Sequence, residues 1–175
     1  QVQAFLKENG YPYTRVPAEE LPAKVAALID SQKVIGLLQG RMEFGPRALG
    51  GRSIIGDARS PEMQRVMNLK IKFRESFRPF APSVLREDLN EYFDFEADSP
   101  YMLLVGQVQP DKLVSGSANE QVTGLEKVNQ VRSVVPAITH VDNSARVQTV
   151  AREHSPLYYD IIKEFKNLTG CPVII

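Results

Sequence analysis

Three stretches of this chain carry residue types that can do chemistry. The first runs Gly40-Arg41-Met42-Glu43-Phe44-Gly45-Pro46-Arg47-Ala48-Leu49-Gly50-Gly51-Arg52-Ser53. Glycine permits positive φ and lets backbone N–H groups approach an anion closely. Arginine adds a planar fork that grips a phosphate or carboxylate through two bonds. Gly45 and Gly50 have the spacing of a P-loop, but Gly51-Arg52 stands where Lys-Ser/Thr is needed, so this is not a Walker loop. The plainer reading is a glycine-rich turn with exposed arginines. The second stretch is Lys72-Phe73-Arg74-Glu75-Ser76-Phe77-Arg78-Pro79-Phe80-Ala81-Pro82-Ser83, in which cations alternate with phenylalanines. With the rings in the core and the cations outward, such a surface suits a nucleotide, or RNA by stacking. The alternative is a solvated strand face. The third contains His140, Asp142, Ser144 and Arg146. A His/Asp/Ser trio suggests a triad, but no nucleophile elbow surrounds Ser144, and residues this close on a hairpin rarely face one another. A metal reading fails on ligand count. Arg146 could add a cation to an anion site, and a structural hairpin is the alternative. His154 reads as structural, near the start of a helix.

The elements that would position these residues follow from periodicity and punctuation. A short helical pattern ends at Gly10, and residues 11–17 connect it onward. Ala18 to Ser31 is amphipathic, with Leu21, Val25, Leu28 and Ile29 at helical spacing. Val34 to Leu38 and Arg52 to Asp57 read as strands. Ser60-Pro61 opens a helix whose inner face is Met63, Val66 and Met67. From Lys70 the period becomes two, predicting an extended segment with Lys70, Lys72 and Arg74 on one face. Arg86 to Phe95 is helical in propensity, Tyr101 to Val108 a strand, and residues 109–135 a long polar loop. Ala137 to Val141 and Ala145 to Val150 read as strands around an Asp142-Asn143-Ser144 turn. Ser155-Pro156 starts a last helix to about Asn167, and Pro172 to Ile175 is a strand. The class is mixed α/β.

Composition narrows the function. The chain has 175 residues, 43% hydrophobic and 24% charged, which fits one globular domain and excludes disordered and fibrous classes. One cysteine excludes an internal disulfide, and with two histidines it excludes a Cys/His zinc cage. No apolar run is long enough to span a membrane, and no signal peptide is visible, so a reducing cytoplasm is the expected location. Net charge is zero, with 21 basic and 21 acidic residues. Yet Arg41 to Arg86 holds ten basic against four acidic residues, and residues 87–98 hold six acids and no base. That pattern favours a local anion site over a wholly basic surface. Two solvated faces that pair with each other are the bland alternative. The chain starts at Gln1 and ends on an apolar Pro172-Val-Ile-Ile175 run, which reads as an excised piece of a longer protein.

The strings Gly40 to Gly50, Ile71 to Ser83 and His140 to Val150 resemble the C-terminal domain of the NodU/CmcH-type O-carbamoyltransferases. This family includes nodulation protein U and the tobramycin- and cephamycin-pathway enzymes. The resemblance covers essentially all of residues 1–175. It implies a YrdC-like α/β fold, a twisted mixed sheet with flanking helices around a concave basic surface. It implies use of ATP, with Mg²⁺, and carbamoyl phosphate to form a carbamoyl-adenylate. A separate N-terminal Kae1-like domain, carrying a histidine-bound metal of the iron type, would pass the carbamoyl group to a hydroxyl of a small-molecule acceptor. Matched motif to motif, Lys72 and Arg78 would hold nucleotide or carbamoyl phosphate and be catalytic. Arg47 and Arg146 would complete the anion site, with Arg41, Glu43, Arg52 and Arg74 carried over from the same strings. The alternative is an RNA-binding or tRNA-modification-related YrdC-like module, against which the zero net charge and the lack of a Lys/Arg tail argue.

Overall fold

The computed structural model describes residues 1–114, 124, 128 and 130–175. The first strand, β1 (Ile35–Leu38), pairs antiparallel with β2 (Arg52–Ile55), Leu38 facing Arg52 across the ladder. The glycine-rich stretch is therefore the loop that closes this hairpin. A second, mixed sheet has the order β4-β5-β6-β3-β7. Its strands are β3 (Ser83–Leu85), β4 (Phe93–Asp94), β5 (Leu104–Val108), β6 (Ser144–Val150) and β7 (Val173–Ile174). The β3 and β6 strands are parallel and every other pair is antiparallel. The two sheets are stitched by a bridge between Asp57 and Ile174 and by Ile175 N–H donating to Gly56 O at 2.9 Å.

Two helices, α2 (Leu21–Asp30) and α5 (Pro156–Thr169), pack on one another, preceded by the peripheral α1 (Val2–Glu8), which buries nothing. In α5 the buried residues Tyr158, Tyr159, Ile161, Ile162 and Phe165 recur at spacings of three and four, so one stripe meets the core. Burying a side chain such as Ile161 or Ile162 contributes about 1.5–3 kcal/mol. Gly170 ends the helix at φ 77°, a conformation that costs glycine little. Ser60 and Ser155 take the N-cap positions with proline following, as the sequence predicts, although neither hydroxyl makes the capping bond. Along α2, Val25, Ala26 and Ile29 are buried while Leu28 faces outward. Among the described residues no helix is long and apolar enough to cross a membrane.

Four local expectations are corrected. Residues 70–74 are not extended. After α3 (Pro61–Met67) the chain makes a wide π-type turn over Asn68–Lys72, then reverses at Phe73, φ 49°. Five residues of two-fold alternation are outweighed there by hydrogen bonds from the buried Asn68 to the backbone beyond. The phenylalanines do not all fill the core, since Phe73 and Phe77 are exposed and only Phe80 is buried. Residues 137–141 form turns rather than a strand, fixed by Ser133 and Thr139 hydroxyls and by Thr139 Oγ1 donating to Val135 O at 2.9 Å, so no hairpin precedes β6. The acidic segment after β3 is a 3-10 turn (Arg86–Asp88) and one turn of helix, α4 (Leu89–Tyr92), which passes directly into β4. Of the long polar loop, residues 115–123, 125–127 and 129 lie outside the described residues. Within its described part, Pro110–Lys112 is a 3-10 turn and Leu113 bridges Ser133.

Candidate functional site

The glycine-rich loop is built around Glu43. Its Oε1 accepts from Leu49 N–H and Gly51 N–H, both at 2.7 Å, and its Oε2 lies 3.3 Å from Arg52 Nε. Burial alone would push this carboxyl up. The backbone donors of Leu49, Gly51 and Arg52 overcome that and hold it below its ordinary value. Arg52 spends a second nitrogen on Gly45 O at 3.2 Å. Glu43 and Arg52 thus tie the loop to itself. The neck is closed by Gln39, whose N–H donates to Gly51 O at 2.8 Å and whose Nε2 donates to Gly50 O at 2.9 Å. What the loop turns inward is Pro46, Arg47 and Ala48.

The second stretch is organised by Asn68, fully buried. Asn68 Nδ2 donates to Ser76 O at 3.1 Å and to Arg78 O at 2.8 Å, while Asn68 Oδ1 accepts from Arg74 Nε at 2.6 Å. The Arg74 guanidinium also lies 4.8 Å over the Phe80 ring. One buried amide therefore fixes the backbone of Arg78 and the side chain of Arg74.

The third stretch contributes through β6. Ala145 and Val147 point into the core, so Ser144, Arg146 and Gln148 share the other face. Gln148 joins a relay. Tyr158 O–H donates to Ser83 Oγ at 2.8 Å, Ser83 Oγ donates to Gln148 Oε1 at 2.9 Å, and Gln148 Nε2 donates to Leu49 O at 2.9 Å. Burial pushes the Tyr158 phenol up to about 12, so it stays a donor. Replacing Tyr158 with Phe should cost about 1 kcal/mol in a urea titration, because Ser83 keeps its bond to Gln148. A loss above about 3 kcal/mol would mean the relay works as a unit rather than as pairs.

These pieces enclose a hollow of about 560 Å³, a typical small-molecule volume. Arg47, Lys72, Arg74, Arg78 and Arg146 line it, with Ser83, Met102, His140, Gln148 and Tyr158. Among the described residues no aspartate or glutamate does. Among the described residues none of the five cations has a carboxylate within 4.0 Å. Three of the six acids of residues 87–98 pair elsewhere, Asp88 with Lys166 at 2.7 Å, Glu91 with Lys112 at 3.6 Å and Asp98 with Arg86 at 2.6 Å. Arg47 Nε is buried without a partner among the described residues. Arg146 is held below the ordinary guanidinium value by burial and by the Arg47 charge, and Arg74 by burial and the Arg78 charge. Cations clustered so, without a described counter-charge, have the chemistry that suits a polyanion.

Of the eight site residues expected from sequence, the fold gathers Arg47, Lys72, Arg74, Arg78 and Arg146 around one hollow. Arg41, Glu43 and Arg52 do not line it, and the latter two stabilise the loop. Sequence reasoning missed Asn68, Ser83, Gln148 and Tyr158. Gln148 stands two residues from Arg146 on a strand, a spacing that places both on one face. No local signal marks Asn68 or Tyr158.

His140 also lines the hollow. Ser144 Oγ donates to Asp142 Oδ1 at 2.7 Å and lies 3.3 Å from His140 Nδ1. The serine proton is committed to the carboxylate, which removes the triad reading. Burial and the Arg146 charge lower the His140 pKa below its ordinary 6.5, against the pull of Asp142. The unfolded chain therefore binds this proton more readily than the native one. Stability should fall as pH drops through about 6.5, then level below the native value. Urea midpoints between pH 8 and pH 5 should show this slope, and His140→Gln should remove it.

The chain matches the family Carbamoyltransferase C-terminus over residues 26–175. It belongs to that family. It is 57% identical over its whole length to an uncharacterized protein of Synechocystis sp., 29% of whose length it covers. It is 39% identical to nodulation protein NolO of Bradyrhizobium diazoefficiens, over 90% of this chain and 26% of that protein. It is also 39% identical to nodulation protein U of Sinorhizobium fredii, over 87% of this chain and 24% of that protein. The chain spans less than a third of the length of these relatives. The family match covers all the residues of the hollow, so the five-cation cavity is a feature of a carbamoyltransferase C-terminal domain.

Proposed function

We propose that the hollow binds ATP and carbamoyl phosphate together and forms a carbamoyl-adenylate. The observation that carries this is the convergence of five cations, none paired to a described carboxylate, on one concave surface. Two polyanions repel each other by several kcal/mol at contact distance, and fixed positive charge offsets that cost. Water cleaves carbamoyl phosphate to carbamate and phosphate. A carbamate oxygen then attacks the α-phosphorus of ATP, and pyrophosphate leaves with the electron pair of the broken P–O bond. The attacking oxygen is already anionic, so no general base is required. Catalysis is positioning and charge stabilisation. Among the described residues the lining offers Mg²⁺ no aspartate or glutamate side chain, so magnesium would enter on the phosphates as part of the nucleotide substrate. The carbamoyl group would then pass to a hydroxyl of a small-molecule acceptor in a domain outside this chain, in the cytoplasm.

The test is pyrophosphate release followed by ³¹P NMR with Mg²⁺ and ATP. Release should require carbamoyl phosphate. Release independent of carbamoyl phosphate, or none from protein that calorimetry shows to bind ATP, rejects the adenylate step.

A further inference from the structure

A second cavity, about 860 Å³, lies beside the first, and His140 and Pro79 line both. Its wall includes Phe77, Val131 and Pro136 as apolar surface, and Arg132. Arg132 is 6% exposed. Its NH1 donates to Gln130 O at 3.1 Å, and its NH2 is buried with no hydrogen-bond partner among the described residues. Among the described residues no carboxylate lies within 4.0 Å of it. Glu62, the one acid among the described residues of this wall, is exposed and pairs with Arg65 at 3.7 Å.

A guanidinium stays charged at any physiological pH. Burying such a charge without a counter-charge costs several kcal/mol, and proteins rarely leave it uncompensated. Nothing described on the chain compensates Arg132, while the cavity it lines has room for a ligand that would. We propose that this second cavity is a separate binding site for a small organic anion. Its phosphate or carboxylate group sits on Arg132 and its apolar body lies against Phe77, Val131 and Pro136. The site does not depend on the carbamoyl-adenylate reading, because none of the five cations of the first hollow lines it.

Inorganic phosphate and acetate are the probes, in low-chloride buffer. By calorimetry the wild-type chain should take up phosphate at two sites. R132M should lose one of them and R47Q/R146Q the other. R132M with the wild-type stoichiometry overturns the proposal. Without added anion, R132M should melt no lower than wild type, since it removes an unpaired buried charge. A fall of more than about 5 °C marks Arg132 as structural and also overturns it. Should R132M not fold, R47Q/R146Q carries the test, because its second cavity is intact. Phosphate or acetate at about 100 times Kd should raise its melting temperature by on the order of 5 °C. A shift with acetate alone marks a carboxylate ligand, and a shift with phosphate marks a phosphorylated one. No shift with either anion sinks the site.

Discussion

Replacing Arg78 with alanine is expected to lower the proposed carbamoyl-adenylate formation by about 100-fold or more, the scale for losing one preorganised charge-stabilising contact. Lys72→Ala should do the same. The fold around both should survive. Asn68 grips the backbone carbonyl of Arg78, not its guanidinium, and that bond remains in the variant. Removing the charge also relieves Arg74, which Arg78 pushes below the ordinary guanidinium value after burial. The melting temperature should therefore hold or rise while turnover collapses. Arg41→Ala supplies the contrast, since Arg41 sits in the same string but outside the hollow. It should change the rate by less than about three-fold. Rates of pyrophosphate release with saturating ATP and carbamoyl phosphate check all three. Equal losses in R41A and R78A would mean that the hollow is not where the reaction occurs.

Gly50→Ala is expected to cost on the order of 3 kcal/mol or more of stability, a melting-temperature loss of roughly 10 °C. Two effects add. Gly50 has φ 108°, where an L side chain is strained. Its new methyl would sit 2.5 Å from Tyr158 Cδ1, in a ring that is fully buried and anchored to Ser83. Gly50 N–H also donates to Ser53 Oγ at 2.8 Å, so any shift of the backbone breaks a buried bond. Urea unfolding reads the cost directly. A change below about 1 kcal/mol would show that the loop can lift off the ring.

The parts of this molecule legible in its sequence were those encoded by residue type. Proline after serine marked the starts of α3 and α5, and glycine marked the end of α5. The cations of three distant strings suggested an anion site, and five of them line one hollow. What stayed hidden was encoded by tertiary contact. The run from Lys70 to Arg74 has a strand's alternation, but Asn68 reaches across to Ser76 and Arg78 and winds it into a turn. Residues 137–141 have strand composition, but Ser133 and Thr139 satisfy the local backbone first. Glu43 and Arg52 share a string with Arg47, and only folded geometry separates the residues that hold the loop from the one it presents.

The line from Leu49 through Gln148 and Ser83 to Tyr158 crosses from the loop over two adjacent strands into a buried helix face. The segment bearing Arg47 is thereby moored to the most protected part of the molecule. It cannot act as a hinged flap without disturbing the sheet beneath it. An anion bound there, as proposed, would meet a loop already in place and lose little ordering entropy on capture. Its residence time would then depend on its own contacts with the cations.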